Sequence, residues 1–277
     1  MRSLLLAAFV LGGCASVPAL PTSDPGAEAL RKGVEYLLAS QNPNGSWGSC
    51  DSCHVYELHL GTVAAHQAFG DASTALCAMA LMELPEGDPR IRPAIDRALA
   101  LLQRHGPALR QTGDTLYNVW ANTYALQCLS HAARDPRWSG ERETLLAAAR
   151  RQLQALCTYQ ATLGGWAYYD FEYKTRRTSG EMATSFTTAA ALLALDEARR
   201  CGLEVPEVSW REAKAFLAST RNGNGAYLYG YGHWIRPNNM ASKLKGSLAR
   251  SQAGECALFL CGLVGQKELD QALLNFF

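Results

Sequence analysis

The chain has 277 residues, of which 48% are hydrophobic, and its 26 basic and 25 acidic side chains leave a net charge of +1. This length is enough to bury a large core in one domain. Because the charges are nearly balanced, the sequence offers no basic surface for a phosphate backbone, and nucleic acid is not expected as a partner.

The amino terminus has the pattern of a bacterial export signal. Arg2 precedes a short apolar run that ends in Leu11-Gly12-Gly13-Cys14, which matches a lipobox. The run is too short to span a bilayer. We therefore expect residues 1–13 to be removed as a signal peptide and Cys14 to carry the lipid that anchors the protein to a membrane. The structural alternative is a buried first helix.

Two further expectations concern location and domain organisation. Ala15 follows the cysteine, which favours the periplasmic face of the outer membrane. Residues 14–26 include the proline-rich, polar stretch VPALPTSDPG, which predicts a tether. Residues 27–277 are expected to form the folded domain, and no second segment is long enough to cross a membrane.

A pattern of the form Gln-x-x-x-Gly-x-Trp recurs along this domain. It runs from Gln41 to Trp47 and from Gln160 to Trp166, and a degenerate copy starts at Arg221. Gln103 marks a further copy that lacks the tryptophan. Copies separated by about sixty residues predict a repeat architecture. The glycines of the copies, Gly45, Gly164 and Gly225, are expected to end helices, with the Trp or Tyr packed under the turn.

Two kinds of helix are predicted to alternate between these copies. Segments that are apolar almost all round are expected to be buried on every side, whereas amphipathic segments show one face to water. The apolar segments are residues 75–84, 121–133, 184–198 and 251–263, and the amphipathic ones begin near Ala27, Pro89, Gly140, Val208 and Lys267. This alternation predicts an all-α fold of inner and outer helices, an α/α-toroid, with a straight helical solenoid as the alternative.

The copies at residues 31–47 and 160–166 resemble the QW motifs of squalene and oxidosqualene cyclases and the repeats of protein prenyltransferase β-subunits. The resemblance extends from about Ala27 to the end, and it includes uncharacterised bacterial members that share stretches such as HQAFGDASTALCAMAL. It implies a terpenoid-cyclase-like toroid with six inner and six outer helices. Because fewer helices are predicted here, we expect the ring to be open or the chain to be truncated at its carboxyl end.

The catalytic clusters of that family have no full counterpart in this sequence. Cyclases protonate their substrate with an Asp-x-Asp-Asp motif, whereas the nearest group here is Asp170-Phe171-Glu172. Prenyltransferases hold zinc with Asp, Cys and His, and Asp51 and Cys53 have no later His that can be aligned. A ligand-binding or scaffold protein is therefore favoured. The alternative is a terpenoid-cyclase-like or polysaccharide-acting enzyme with Asp170, Glu172 and His233 in acid–base roles, although a solvated acidic loop also explains the carboxylates.

The loops that lead into the inner helices are expected to line a ligand cavity. These loops are rich in aromatic residues, which suit an apolar or a glycan ligand, although packing beneath the turns is the alternative role. The expected cavity residues are His66, Tyr117, Trp120, Tyr168, Tyr169, Arg177, Glu181, Arg236 and Arg250.

A separate cysteine motif has the spacing that attaches c-type haem. It consists of Cys50, Cys53 and the adjacent His54, and such a histidine serves as the axial ligand. A disulfide, a structural thiol pair or a metal such as zinc explains the same residues. We expect no cofactor, with haem c or zinc at this motif as the alternatives. Cys77, Cys128 and Cys157 are predicted to be free thiols within apolar helices.

Overall fold

A computed structural model describes residues 25–49, 63–108, 117–168, 183–230, 243 and 247–276. Structural statements below refer to these residues. The predicted signal peptide, Cys14 and the tether up to residue 24 lie outside them.

The described residues are mainly helical and contain no strand, which confirms the predicted all-α class. Within them there are nine α-helices and one 3-10 helix, and the only β pairing consists of isolated bridges such as that between Trp166 and Thr184. The helices are α1 (Pro25–Ser40), α2 (Val63–Met82), α3 (Ile91–His105), α4 (Asn118–Arg134), the 3-10 helix (Pro136–Glu141), α5 (Arg142–Thr158), α6 (Ser185–Arg200), α7 (Glu207–Ser219), α8 (Arg250–Leu260) and α9 (Gln266–Leu274).

Every second helix belongs to one continuous row. Helix α2 packs against α4, α4 against α6, and α6 against α8, and we call these four helices the central row. Four of the remaining helices flank it: α3 packs on α2, α5 on α4 and α6, α7 on α6 and α8, and α9 on α8. The order along the chain therefore alternates between central and flanking helices, as the hydrophobic pattern predicts.

Burial follows this alternation. Helix α4 buries residues on all sides, including Val119, Leu126, Cys128 and Leu129. Helix α2 departs from the expectation of burial on every side, because Phe69 and Leu76 are 40% and 45% exposed. The reason is its position at the end of the row, where α4 is its one neighbour among the central helices.

Helix α2 begins earlier than the apolar pattern indicates. It starts at Val63 rather than near residue 75, so His66 and Asp71, expected in a loop, lie on a helix. The added segment is rich in alanine, the residue with the highest helix propensity. Its polar side chains interrupt the apolar pattern, so periodicity alone does not predict this part of the helix.

None of the described helices combines the length and apolar character that crossing a bilayer requires.

Candidate functional site

The copies of the sequence repeat fold into the same turn, which we call the first (41–47), second (160–166) and third (221–227) repeat turn. In the second, Ala161 N donates to Gly165 O at 2.8 Å and Gly164 N donates to Ala161 O at 2.9 Å. The first and third turns make the equivalent bonds at 2.8–3.0 Å. The recurring spacing therefore encodes a recurring backbone conformation.

The glutamine that opens the first two turns ties each turn to the next flanking helix. Gln41 Nε2 donates to Gly45 O at 3.1 Å and to Ala94 O on α3 at 2.8 Å. Gln160 Nε2 donates to Gly164 O at 2.7 Å and to Ser209 O on α7 at 2.9 Å. A carbonyl of the turn and a carbonyl of the helix are thus satisfied by one side chain.

The glycines of the turns do not end helices, which corrects the sequence expectation. The helices before them end at Ser40, Thr158 and Ser219, and the glycines lie inside the turns with φ of 95°, 94° and 80°. A left-handed φ favours glycine because it has no Cβ. At Gly164 a Cβ would also lie 2.5 Å from Glu212 O, so the turn touches the backbone of α7 directly.

The tryptophans pack under the first two turns, as predicted. Trp47 and Trp166 are 3% and 0% exposed. Each indole Nε1 donates to a carbonyl of the preceding helix, Leu37 O at 2.7 Å and Leu156 O at 2.8 Å. Each backbone N–H of the two tryptophans donates to a threonine hydroxyl of the next central helix. These hydrogen bonds connect each of the two turns to the helix before it and to the central helix after it.

The third repeat turn replaces the glutamine with an ion pair. Arg221 Nε donates to Glu255 Oε1 on α8 at 2.6 Å, and the Glu255 side chain is only 2% exposed. The fully buried Tyr227 takes the tryptophan position, and burial together with the Glu255 charge raises the pKa of its hydroxyl. Gln103, the fourth copy, lies within α3 and opens no such turn; the helix ends at Gly106 with φ of 67°.

The residues that follow the second and third repeat turns place a tyrosine near the amino-terminal end of α6. Tyr168 and Tyr229 each lie two residues beyond the buried aromatic of their turn, and their hydroxyl oxygens are 2.5 Å apart in a hydrogen bond. Tyr229 O accepts from Ser185 N at 3.1 Å. Tyr168 O accepts from Tyr117 N at 2.9 Å, which fixes Tyr117 in a left-handed conformation at the start of α4.

These tyrosines belong to a continuous cluster of rings, which we call the aromatic patch. The ring centroids of Tyr117 and Tyr168 are 6.0 Å apart, and Tyr168 lies 5.7 Å from Phe186, which lies 5.1 Å from Tyr229. The full set of contacting rings is Phe69, Tyr117, Trp120, Tyr124, Tyr168, Phe186 and Tyr229. Small residues of α2 and α4 (Ala65, Ala68 and Ala121) pack beneath it.

The aromatic patch is partly open to solvent. Tyr117 is 8% exposed and Phe69 is 40% exposed, while the other five rings are half-buried. Large half-buried rings in mutual contact form an apolar surface of defined shape. Such a surface is able to hold an apolar group or the face of a sugar ring.

One cation lies at the edge of the patch. The guanidinium carbon of Arg250 is 5.5 Å from the centre of the Tyr229 ring, and Arg250 Nε donates to Tyr227 O at 3.1 Å. Burial lowers the pKa of Arg250, and the Tyr229 hydroxyl partly opposes this effect. The side chain therefore lies flat against an aromatic wall rather than extending into water.

The structure brings together part of the set of residues that the sequence nominates for a cavity. Tyr117, Trp120, Tyr168 and Arg250 lie in or against the aromatic patch, and His66 lies on the same helix as Phe69, half-buried and one turn before it. The remaining nominated residues lie outside the described residues: Cys14, Cys50, Cys53, His54, Tyr169, Asp170, Glu172, Arg177, Glu181, His233 and Arg236.

Sequence reasoning did not nominate Phe69, Tyr124 or Phe186, and it placed Tyr229 in a loop at the cavity mouth without assigning it to the ligand site. The sequence does contain a signal for some of these residues, which is their shared position in the repeat. Tyr229 and Tyr168 share a position in the repeat, and Trp120 and Phe186 both lie in the first turn of a central helix. Aligning the copies two residues beyond the turn would have identified the tyrosine pair.

Metal-binding groups are absent from the part of the chain that the structure covers, where no three His, Cys, Asp or Glu side chains cluster suitably. The six cysteines in this part, including Cys77, Cys128 and Cys157, carry free thiols. Burial raises the pKa of Cys128 to about 12, which keeps that thiol protonated. The prediction of free structural thiols is confirmed for these three.

Two clefts lie away from the aromatic patch. One of about 340 Å³ is lined by residues 84–89, Ile91, Arg92, Ile95 and Arg137. The other, of about 260 Å³, lies between the third repeat turn and α9 and includes Arg221, Glu255 and Lys267. Neither contains a residue of the aromatic patch, so the patch is distinct from these two clefts.

Comparisons with protein-family models, with curated proteins and with solved structures found no match to this chain.

Proposed function

We propose that this chain is an envelope-anchored helical-repeat protein that binds an apolar ligand on its aromatic patch. The observation that carries the proposal is the unbroken series of ring contacts from Phe69 to Tyr229 at the amino-terminal ends of α4 and α6. The rings remain partly exposed, although burying them fully would stabilise the protein. An apolar partner that covers them gains the same free energy on binding.

An apolar ligand is favoured over a glycan by the chemistry of the patch. Phe69 and Phe186 carry no polar atom, and the hydroxyls of Tyr168 and Tyr229 are bonded to each other. A sugar needs hydrogen-bond partners for its hydroxyl groups, because polar groups that are left unpaired on binding cost free energy. Arg250 at the edge offers one site for a polar end group of an otherwise apolar molecule.

The overall architecture in this proposal is an α/α-toroid of the squalene-cyclase and prenyltransferase type. Support comes from the alternation of central and flanking helices and from the first two repeat turns, each of which is hydrogen-bonded to the next flanking helix. In a toroid, the central row would form the inner ring and the aromatic patch would lie at one mouth of the cavity. Lipid attachment at Cys14 would hold this domain at the bacterial envelope.

The proposal is tested by titrating the full chain carrying Cys14→Ser, which lacks the acylated thiol, with farnesol. We expect saturable quenching of tryptophan fluorescence. We also expect Phe186→Ala to weaken binding about tenfold, because the buried contact of one ring accounts for about 1.4 kcal/mol or more. Tyr36→Ala is the matched control, since Tyr36 is an aromatic side chain on α1 that is 71% exposed and lies outside the patch.

Two results would overturn the proposal. One is the absence of saturable farnesol binding, and the other is equal binding by the Phe186 and Tyr36 variants. If maltohexaose binds in place of farnesol and Phe186→Ala abolishes that binding, the patch is a glycan site and the apolar assignment is wrong.

A further inference from the structure

A buried carboxylate and a histidine form a pair beside the aromatic patch. Asp71 lies on α2 and is 3% exposed, and His105 is the last residue of α3. The distance between Asp71 Oδ1 and His105 Nδ1 is 2.7 Å. The imidazole itself is accessible, because the side chain of His105 is 31% exposed.

Both members of the pair lie three residues from an alanine that packs in the same cluster as Tyr117. Asp71 follows Ala68 by three residues on α2, and Ala68 packs against Tyr117. His105 precedes Ala108 by three residues, and Ala108 packs into the same cluster. Asn122 on α4 holds Ala108 in place by accepting from its N–H at 2.9 Å and donating to its carbonyl at 3.1 Å. The residues that follow His105 are therefore held against the amino-terminal part of α4.

Pairing with an ionised Asp71 selects which nitrogen of the imidazole is basic. A carboxylate that accepts from Nδ1 holds the proton on that nitrogen, which leaves the lone pair on Nε2. Asp71 also has a side-chain hydrogen bond with Gln67. Its burial raises the pKa of the carboxyl while the hydrogen bond to His105 opposes that rise, so the histidine supports the charge of the aspartate.

We propose that His105 is a general base that activates water to hydrolyse an ester whose apolar part rests on the aromatic patch, with Asp71 as its positioning residue. The inference rests on the proposed binding function. It adds a reaction and a substrate class: an ester of an apolar acid or alcohol. A neutral ester group suits this place because the cluster members that lie nearest to the pair along the chain, Ala68 and Ala108, are apolar.

The reaction uses water as its second reactant. Water oxygen forms a bond to the acyl carbon while His105 Nε2 takes a proton from that water. The C–O bond to the alcohol then breaks, and the departing oxygen takes the proton back from the imidazolium. An acid and an alcohol are released, and the imidazole returns to its neutral form.

The test measures hydrolysis of 4-nitrophenyl octanoate by the full chain carrying Cys14→Ser. In His105→Gln the amide nitrogen is still able to donate to Asp71, so the pair is kept while the base is lost. We expect kcat/KM to fall about 100-fold or more, in the range of general-base contributions. His131→Gln is the matched control, because His131 also faces carboxylates, Glu83 and Glu197 at 3.7 Å, at the opposite end of α4.

A separate kinetic measurement tests whether Asp71 positions His105. Asp71→Asn keeps the volume of the side chain but removes the negative charge that orients the imidazole, so we expect a lower kcat with an unchanged KM for the ester. The same substitution should have no further effect on the rate in His105→Gln. A purely structural role for Asp71 would lower the rate in both backgrounds.

Farnesol binding by the same variants separates this inference from the proposed function. Binding that persists in wild type and in His105→Gln, without any hydrolysis that depends on His105, overturns the inference and leaves the binding function intact. Equal rates in the His105 and His131 variants would also overturn the inference and leave the binding function intact. Loss of farnesol binding in wild type overturns the proposed function instead.

Discussion

The side-chain amide of Gln160 donates to Ser209 O across 2.9 Å, and this bond joins the second repeat turn to the helix that follows it. Gln160 is fully buried and also satisfies Gly164 O within the turn. The equivalent bonds of Gln41 join the first turn to α3. A single residue type, placed at the start of the first and second repeat turns, thus sets the distance between each of these turns and the next flanking helix.

Replacement of this glutamine should destabilise the fold strongly. Gln160→Ala leaves two buried carbonyls without their donor, so we expect the free energy of unfolding to fall by about 2–4 kcal/mol. Gln103→Ala is the control, since Gln103 opens no repeat turn, and its effect should stay within about 0.5 kcal/mol. Urea denaturation followed by circular dichroism measures both. Equal losses in the two variants would contradict the role assigned to Gln160.

The glycines of the turns should differ in their tolerance of a methyl group. Gly164 and Gly225 both have left-handed φ, so alanine costs about 1–2 kcal/mol at either position. At Gly164 the new Cβ would also meet Glu212 O at 2.5 Å, whereas at Gly225 nothing lies within 4 Å. We expect Gly164→Ala to cost about 1–3 kcal/mol more than Gly225→Ala. Similar melting temperatures for the two variants would argue against direct contact between the second turn and α7.

The ion pair of the third turn should show strong coupling between its partners. Arg221→Gln leaves the buried Glu255 carboxylate without its cation, and we expect a loss of about 3 kcal/mol. Adding Glu255→Gln removes the uncompensated charge, so the double variant should recover most of that loss. A double-mutant cycle in urea measures the coupling. Additive losses would mean that the two side chains act independently.

The buried carboxyl of Asp71 should make stability depend on pH. Because burial raises the pKa of the folded-state carboxyl above its ordinary value, ionisation favours the unfolded chain. Stability attributable to this group therefore falls as pH rises from the ordinary aspartate pKa to the raised one. Relative to wild type, Asp71→Asn should gain stability over that interval of rising pH. Unfolding measured from acidic to neutral pH checks this, and a relative loss over the interval would refute it.

Much of the helix order can be predicted from the sequence because buried apolar positions recur with the period of a helix. One apolar run predicts a helix over residues 121–133, and the observed helix α4 spans Asn118–Arg134. The start of α2 is missed because polar side chains interrupt an alanine-rich stretch there. The twelve residues missed include Asp71, whose pairing with His105 depends on how α2 and α3 pack and has no signature in either segment.

The site is less accessible to sequence reasoning than the fold. Tyr117, Trp120 and Tyr168 are identified because they lie near repeat turns and helix starts. Phe186 is missed because one phenylalanine in an apolar helix has the same pattern whether it packs in the core or lines a surface. Only the packing of α4 against α6 shows that Trp120 and Phe186 are in contact, with ring centroids 6.0 Å apart.

A crystal structure of the full chain carrying Cys14→Ser, grown with farnesol, tests the ligand-binding proposal most directly. Binding on the aromatic patch predicts electron density for the isoprenoid chain in contact with the rings of Trp120, Tyr168 and Phe186. Density for the ligand in either of the two clefts instead, or rings that stay open to solvent at saturating farnesol, would contradict the proposal.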